Sequence, residues 1–230
     1  MERVYVFSMG LRIWHWINFF SILVLFITGL YIGNPFFIGS QGVEATYAYE
    51  KSLTMGLIRE IHFIAGYILL AGLIFRFLIA LSSKRDRMFI PKVWKAEFWF
   101  SVIESVKEYL FISSAKDSYP HIRPTTARFA YFLLYIALLF MVMTGFGMYG
   151  MSNPEGFWVS LFGWIIPFLG GEFPTHMWHH WVAWLIILFA IVHVYFVVRE
   201  DFTKKTGEVS SMINGYKVLK GKPVDAEDLE

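Results

Sequence analysis

The sequence of 230 residues contains no cysteine and little charge. The absence of cysteine excludes disulfides, iron–sulfur clusters held by this chain, and covalent haem attachment through a C-x-x-C-H motif. Any bound metal or haem must therefore be held by histidine, methionine or carboxylates. Charged residues make up 17% of the chain, whereas a soluble domain usually contains about 25%. Because 57% of the residues are apolar, the composition indicates a membrane protein.

Four apolar runs are long enough to cross a hydrocarbon core of about 30 Å. They lie at about 12–33, 58–81, 128–150 and 176–198. The first run lacks a small-x-small cleavage site and is predicted to be a span rather than a cleaved signal. The sequence therefore predicts an all-α membrane protein: a bundle of four transmembrane helices within residues 1–198, followed by a polar tail at 199–230.

The segments between the spans differ in character. Residues 34–57 and 151–175 are predicted loops, and the second contains an apolar stretch at 157–169 that is too short to span. Segment 82–127 contains apolar residues at every fourth position, which are Trp94, Phe98, Val102, Val106 and Leu110. This pattern predicts an amphipathic helix in the membrane interface. A helix that packs on a soluble partner is the alternative.

Positive charge is concentrated on one side of the predicted bundle. Of the 20 Lys and Arg residues, all but Lys51 and Arg59 lie at the N-terminus, in segment 82–127, in the tail or at the adjacent span ends. The positive-inside rule then places both termini and the amphipathic helix on the cytoplasmic side of the inner membrane. The loops 34–57 and 151–175 face outward.

Six of the seven histidines lie in or beside the spans, where ionisable residues are functional hypotheses by default. In the predicted orientation they occupy two depths, with His15 and His193 at inner span ends and His62, His176, His179 and His180 at outer span ends. A helix turns about 100° and rises about 1.5 Å per residue. His179 lies 14 residues before His193, about 40° short of four full turns, so the two share one face. His180 and His176 point about 140° and 100° away from His193.

These depths predict two bis-histidine haem sites. His62 and His179 pair near the outer face, and His15 and His193 pair near the inner face. The two levels are about 21 Å apart along the helix axis. Iron with two axial imidazoles is suited to electron transfer rather than oxygen binding. A lone interfacial histidine with no ligand role is the plainer interpretation of each residue alone, and zinc is the rival metal, although zinc prefers three or four protein ligands.

Two further features occur at these depths. The stretches TGLYIG at 28–33 and TGFGMYG at 144–150 contain Gly29, Gly145 and Gly147 at the outer level. These glycines allow either close approach of a flat macrocycle or ordinary packing of small residues between helices. Arg76 follows His62 by the same spacing that separates His193 from His179, which places it on the same face at the inner level. It is a candidate for a haem propionate, with snorkelling to the interface as the alternative.

Several stretches make the chain recognisable. They are RIWHWIN at 12–18, EATYAYEKSLTMGLIREIHFIAGY at 44–67, HMWHHWVAW at 176–184, HVYFVVRED at 193–201 and SSMINGYK at 210–217. Over nearly the whole length they resemble the b-type cytochrome subunit of membrane-bound nickel–iron hydrogenases. The histidine motifs are shared more widely with the cytochrome b subunits of formate dehydrogenase and thiosulfate reductase.

The resemblance implies a role and the same four ligands. It implies a cytochrome with two haem b groups that anchors a periplasm-facing hydrogenase, formed by an iron–sulfur small subunit and a nickel–iron large subunit. Electrons would enter from the small subunit at the outer haem and leave to quinone at the inner one. The chain would thus be the electron-transfer subunit of a hydrogen:quinone oxidoreductase, not the hydrogen-activating subunit. No nucleic-acid partner is expected.

The end of the fourth span adds candidates for the quinone side. Arg199, Glu200 and Asp201 follow His193 by about two turns, and they could relay protons to a quinone. Charge that merely caps the span is the alternative. Two other functions stay open at this point: the cytochrome of a formate dehydrogenase or thiosulfate reductase, and a small transporter or non-redox anchor. A transporter should show paired broken helices with polar midplane residues, whereas the midplanes here are apolar.

Overall fold

A computed structural model of the chain describes residues 2–33, 45–83, 85–87, 93, 96–109, 112 and 125–219. The described elements, in chain order, are β1 (Glu2–Tyr5), α1 (Met9–Gly33), α2 (Ala45–Ser82), a 3₁₀ turn (Arg85–Arg87), α3 (Ala96–Tyr109), α4 (Thr125–Gly150), α5 (Phe157–Phe162), α6 (Ile165–Phe168), α7 (Glu172–Lys204), α8 (Glu208–Asn214) and β2 (Tyr216–Leu219). The predicted class, an all-α membrane protein, is confirmed.

Four helices are long and apolar enough to cross a membrane, and they contain the four predicted spans. Their membrane-compatible segments are Met9–Gly33, Met55–Ser82, Thr126–Gly150 and Glu172–Thr203. Each begins or ends a few residues beyond the predicted limits, because backbone hydrogen bonding continues past the point where hydropathy falls. Large apolar side chains remain exposed along these helices, as expected of surfaces that face lipid.

Two predicted loops need correction. Helix α2 begins at Ala45, so residues 45–57 of the predicted loop 34–57 are helical. This stretch contains no proline that would break a helix, whereas Pro35 lies further upstream. In segment 151–175 the short apolar stretch forms α5 and α6, neither of which is long enough to span.

The amphipathic pattern in segment 82–127 does form a helix, α3. Phe98 is buried, and its ring lies 6.0 Å from that of Phe129 on α4. Val106 is 44% exposed. Trp94 and Leu110, the ends of the predicted stripe, lie outside the described residues. The position of α3 in the membrane interface stays a prediction.

The chain divides into two compact units. The first comprises Met1–Ile13, Phe75–Ala137 and Phe189–Glu230. In this unit β1 pairs with β2 in antiparallel register, from Glu2 opposite Leu219 to Tyr5 opposite Tyr216. The tail is therefore more than the polar extension predicted from sequence, since it supplies α8 and one strand of a sheet.

The contacts around this sheet join the two ends of the chain, and we call the arrangement of β1, β2 and α8 the terminal clasp. Val6 and Leu219 are buried together. The ammonium of Lys217, a residue that is 3% exposed, lies 2.7 and 2.5 Å from the two carboxylate oxygens of Glu208. The guanidinium of Arg12 donates to the carbonyl of Ile213. Buried apolar contact and a bidentate ion pair thus stabilise the clasp.

The second unit comprises Trp14–Ile74 and Leu138–Leu188. Here α5 and α6 pack closely on the end of α4, where two glycines leave room for them. A Cβ at Gly147 would lie 2.8 Å from Cγ2 of Ile165, and one at Gly150 would lie 2.8 Å from the backbone nitrogen of Val159. Gly147 therefore serves small-residue packing, one of the two interpretations left open by the sequence.

Candidate functional site

His62, on α2, contacts the first of two Thr-Gly pairs, which is Thr28 and Gly29 on α1. The hydroxyl oxygen of Thr28, on α1, lies 2.8 Å from Nδ1 of His62. The same oxygen lies 2.7 Å from the carbonyl oxygen of Val24. At the next position, a Cβ on Gly29 would lie 3.4 Å from Cε1 of His62. The side of the imidazole next to Cε1 is therefore kept clear of side chains by a glycine.

His179, on α7, is held by the second pair in nearly the same geometry. The hydroxyl oxygen of Thr144, on α4, lies 2.7 Å from Nδ1 of His179 and 2.8 Å from the carbonyl oxygen of Phe140. A Cβ at Gly145 would lie 3.3 Å from Cε1 of His179. The corresponding distances in the two arrangements are nearly equal, although the residues come from four different helices.

Both outer histidines belong to the second unit, with His62 on α2 and His179 on α7. The neighbours of His179 have other contacts: Nε2 of His180 accepts the indole N–H of Trp184 at 3.1 Å, and Nε2 of exposed His176 lies 3.8 Å from a carboxylate oxygen of Glu172. The choice of His179 over His180 and His176, which rests on helical register, stays a prediction.

The predicted inner ligands belong to different units. His15 lies in the second unit, with its ring edge-on to Trp16 at 5.3 Å between centroids. His193 lies in the first unit, on α7, where its ring stacks on Phe189 at 5.9 Å and an interplanar angle of 2°. The hydroxyl oxygen of Tyr131 lies 3.3 Å from Nδ1 of His193. His193 therefore also has a hydroxyl partner on Nδ1, as His62 and His179 do.

Arg76 lies buried in the first unit, at 3% exposure. Its Nε donates to the hydroxyl of Tyr135 at 3.0 Å, and its Nη2 donates to the carbonyl of Asp86 at 2.7 Å. The buried guanidinium disagrees with the snorkelling alternative, in which its head would lie in water. Its role towards a propionate stays a proposal.

The charged residues after His193 have partners within the first unit. Nη1 of Arg199 lies 3.8 Å from a carboxylate oxygen of Glu200, and both side chains are mostly buried. Oδ1 of Asp201 accepts the backbone N–H of Glu208 at 3.0 Å. Because the N-cap of α8, Gly207, makes no side-chain capping bond, Asp201 caps this helix from a distance.

Comparison with known proteins supplies the family. The family described as prokaryotic cytochrome b561 matches residues 6–215, nearly the whole chain. The chain belongs to the prokaryotic cytochrome b561 family. The recognition made from the sequence motifs is thereby confirmed, and the four apolar helices are those of an integral membrane cytochrome b.

Similar curated proteins are named as B-type cytochrome subunits of Ni/Fe-hydrogenases. A protein named "Probable Ni/Fe-hydrogenase B-type cytochrome subunit" from Cupriavidus necator is 37% identical over 226 residues, covering 96% of this chain and 89% of the relative. One of the same name from Rhizobium leguminosarum bv. viciae is 37% identical, covering 99% and 92%. The "Probable Ni/Fe-hydrogenase 1 B-type cytochrome subunit" of Escherichia coli K12 is 34% identical, covering 93% and 90%.

The residues of the second unit fit the haem of a cytochrome b. A histidine that ligates iron needs one ring nitrogen free and space for a flat macrocycle beside it. In His62 and His179 the hydroxyl contact is on Nδ1, which leaves Nε2 for a metal. Gly29 and Gly145 keep open the space that a Cβ would fill. A Cβ at Gly33 would meet Cε1 of His180 at the same 3.4 Å, so the glycine contacts do not decide between a macrocycle and ordinary helix packing.

Zinc is not favoured by the same residues. Within the part of the chain that the structure describes, no group of three or more His, Asp or Glu side chains converges on one point. Sequence reasoning did miss Thr28 and Thr144, since it assigned the role in the Thr-Gly motifs to the glycines alone. Their signal was visible as a threonine that immediately precedes a glycine at both outer span ends.

Proposed function

We propose that this cytochrome b carries electrons across the membrane through two haem b groups, from the iron–sulfur small subunit of a nickel–iron hydrogenase to quinone. The observation that carries the proposal is the duplicated Thr-Gly arrangement that holds His62 and His179 in one compact unit. The names of the relatives support a hydrogenase as the partner. They favour it over formate dehydrogenase or thiosulfate reductase, the other partners considered.

His62 and His179 would hold the iron of the outer haem. A bound haem supplies a one-electron couple between ferric and ferrous iron. The chain supplies the two imidazoles, the threonines that contact their Nδ1 atoms, and the glycines that leave space beside Cε1.

His15 and His193 would be the ligands of the inner haem. The support for this pair comes from helical register: α7 is continuous from Glu172 to Lys204, and the spacing between His179 and His193 places both on one face of a helix. The contact between Tyr131 and Nδ1 of His193 leaves its Nε2 for a metal. Arg76 is a candidate partner for a haem propionate because its buried charge favours an anion.

The terminal clasp supports an even number of spans. The hydrogen bonds between β1 and β2 support a topology in which both strands lie on one side of the membrane, as four spans require. The placement of that side in the cytoplasm rests on the distribution of Lys and Arg. In this orientation the outer haem faces the hydrogenase, and the inner one lies near the cytoplasmic interface, where quinone has access.

A quinone takes up protons as well as electrons. Arg199 and Glu200 are the better candidates for that side, since Asp201 already serves as the cap of α8. A transporter or a non-redox anchor is a less suitable function, because it gives no reason for a duplicated, hydroxyl-supported histidine pair.

The experiment is a ligand-by-ligand test on the purified complex. Pyridine haemochrome analysis should find about two haems per cytochrome chain. Separate replacement of His62 and His179 by alanine should remove the same haem, and replacement of His15 or His193 should remove the other. His180→Ala is the matched control, because it alters a neighbouring imidazole with a different partner. A wild-type complex without b-type haem, or loss of haem in His180→Ala but not in His179→Ala, would overturn the proposal.

A further inference from the structure

The two threonine hydroxyls fix which nitrogen of each histidine carries the proton. A hydroxyl has one hydrogen to donate and two lone pairs with which to accept. Thr28 and Thr144 each lie within 2.7–2.8 Å of a carbonyl oxygen four residues earlier. Because a carbonyl only accepts, each hydroxyl donates its hydrogen there. The same oxygen must then accept from the ring, so Nδ1 carries the hydrogen in both histidines.

This assignment determines what the rings offer to a ligand. A neutral imidazole carries one N–H, and its other nitrogen holds a free lone pair. With the hydrogen on Nδ1, the lone pair of both His62 and His179 is on Nε2, on the side of the ring away from the threonine. The arrangement thus prepares both rings to donate Nε2 to a metal before any metal binds.

We propose that Thr28 and Thr144 are a matched pair of positioning residues that fix the tautomer and orientation of the two outer ligands and thereby set the redox potential of the outer haem. The inference rests on the proposed function, in which His62 and His179 ligate that haem. It extends that function by assigning the control of haem affinity and potential to two residues that are not themselves ligands.

The surroundings of the threonines suit this role. Thr144 is fully buried and Thr28 is 6% exposed, so water does not compete for Nδ1. In a helix, a threonine whose hydroxyl bonds back to the preceding turn is restricted at χ1. The acceptor is thus already oriented when the histidine packs against it. A carboxylate at this depth would perform the same task only at a large cost in desolvation.

The hydroxyl also predicts a direction for the redox potential. An acceptor on Nδ1–H makes the imidazole a stronger donor to iron, which stabilises the ferric state. Loss of the hydroxyl should therefore raise the midpoint potential of the outer haem. The loss of such a partner costs typically about 10–100-fold in metal affinity. A tenfold loss confined to the ferric state corresponds to about 59 mV for one electron.

The test compares Thr28→Val and Thr144→Val, which keep the shape of the side chain, with Thr28→Ser and Thr144→Ser, which keep the hydroxyl. Thr175→Val is the matched control, since Thr175 is fully buried on α7 and bonds the carbonyl of Gly171 in the same way, at 2.7 Å. Haem content and a potentiometric titration of both haems are measured on the intact complex. Both valine variants should raise the potential of the same haem or lower its occupancy, and both serine variants should restore wild-type values.

Three results would overturn the inference. The first is an unchanged potential and occupancy of the outer haem in both valine variants. The second is serine variants as impaired as the valine ones, because the loss would then reflect packing rather than the hydroxyl. The third is an equal shift in Thr175→Val. Failure of the proposed function has different signs. Either the wild-type complex lacks the outer haem, or the variants with His62 and His179 replaced retain it.

Discussion

A methyl group added at Gly145 probes the space beside the His179 ring. The new Cβ would lie 3.3 Å from Cε1 of His179, tighter than an ordinary van der Waals contact. The ring cannot yield freely, because Thr144 holds Nδ1 at 2.7 Å. Gly145→Ala must therefore displace the imidazole by a few tenths of an ångström, and we expect weaker binding of the outer haem.

The expected loss of haem affinity follows from the small displacement of the His179 ring. The histidine keeps its hydroxyl partner, so the loss should lie near the lower end of the range for disturbed metal ligation, about tenfold in haem affinity. Alanine is better than glycine in a helix by about 1 kcal/mol, so the thermal stability of the protein without haem should not fall. Gly145→Leu places several atoms in the same space and should abolish the outer haem.

Two other glycines provide a graded control. A Cβ at Gly29 would meet Cε1 of His62 at 3.4 Å, an ordinary contact, and a Cβ at Gly66 would meet nothing within 4 Å. Haem content after detergent dilution should therefore decrease in the order Gly66→Ala, Gly29→Ala, Gly145→Ala. Equal losses in Gly66→Ala and Gly145→Ala, or a full outer haem in Gly145→Leu, would refute the reasoning.

Three further predictions concern the clasp, its cap and the topology. Glu208→Ala strands a buried Lys217 and should destabilise the clasp by about 3 kcal/mol, measured by amide exchange in β2; the double variant Lys217→Met/Glu208→Leu should recover most of the loss, and a failure to recover would contradict this account. Asp201→Ala should cost α8 about 1 kcal/mol, or about fivefold faster exchange. Asp201→Asn keeps a hydrogen-bond acceptor, so α8 should keep its stability in this variant. If quinone reduction is nevertheless slower in Asp201→Asn, the carboxylate has a role in proton transfer. Reporter fusions at 40–50 and 155–170 should be exported and those at 85–120 and after 205 cytoplasmic; an exported C-terminus would reverse the proposed order of the haems.

The sequence predicted the spans because a run of about 20 or more apolar residues has few other uses in a protein. The ends of the helices were harder to predict, because hydropathy indicates which residues lie in the membrane and not where the helical hydrogen bonds end. Helix α7 accordingly continues through Arg199, Glu200 and Asp201 to Lys204. The clasp was missed for a different reason. Two short strands near opposite ends of the sequence leave no periodicity that indicates their pairing.

The histidine site likewise combines local features, which the sequence encodes, with contacts between helices, which it does not. His179 was selected over His180 by rotation about a single helix, a local property that the sequence contains. The contact of Thr28 with His62 joins two helices, and no spacing along the chain encodes it. The only trace was the repetition of Thr-Gly at 28–29 and 144–145. A repeated dipeptide at equal depth is thus a useful pointer to a pair of supporting residues, even when the partner of each is unknown.

The terminal clasp has a consequence for biosynthesis. Strand β1 leaves the ribosome before the first span and β2 only after the last one, so β1 must remain unpaired while all four spans are inserted. The sheet forms only if the last span crosses in the correct direction, because an inverted α7 would leave its strand on the opposite side of the membrane. Closure of the clasp is thus the last step of assembly, since it requires that all four spans have been inserted.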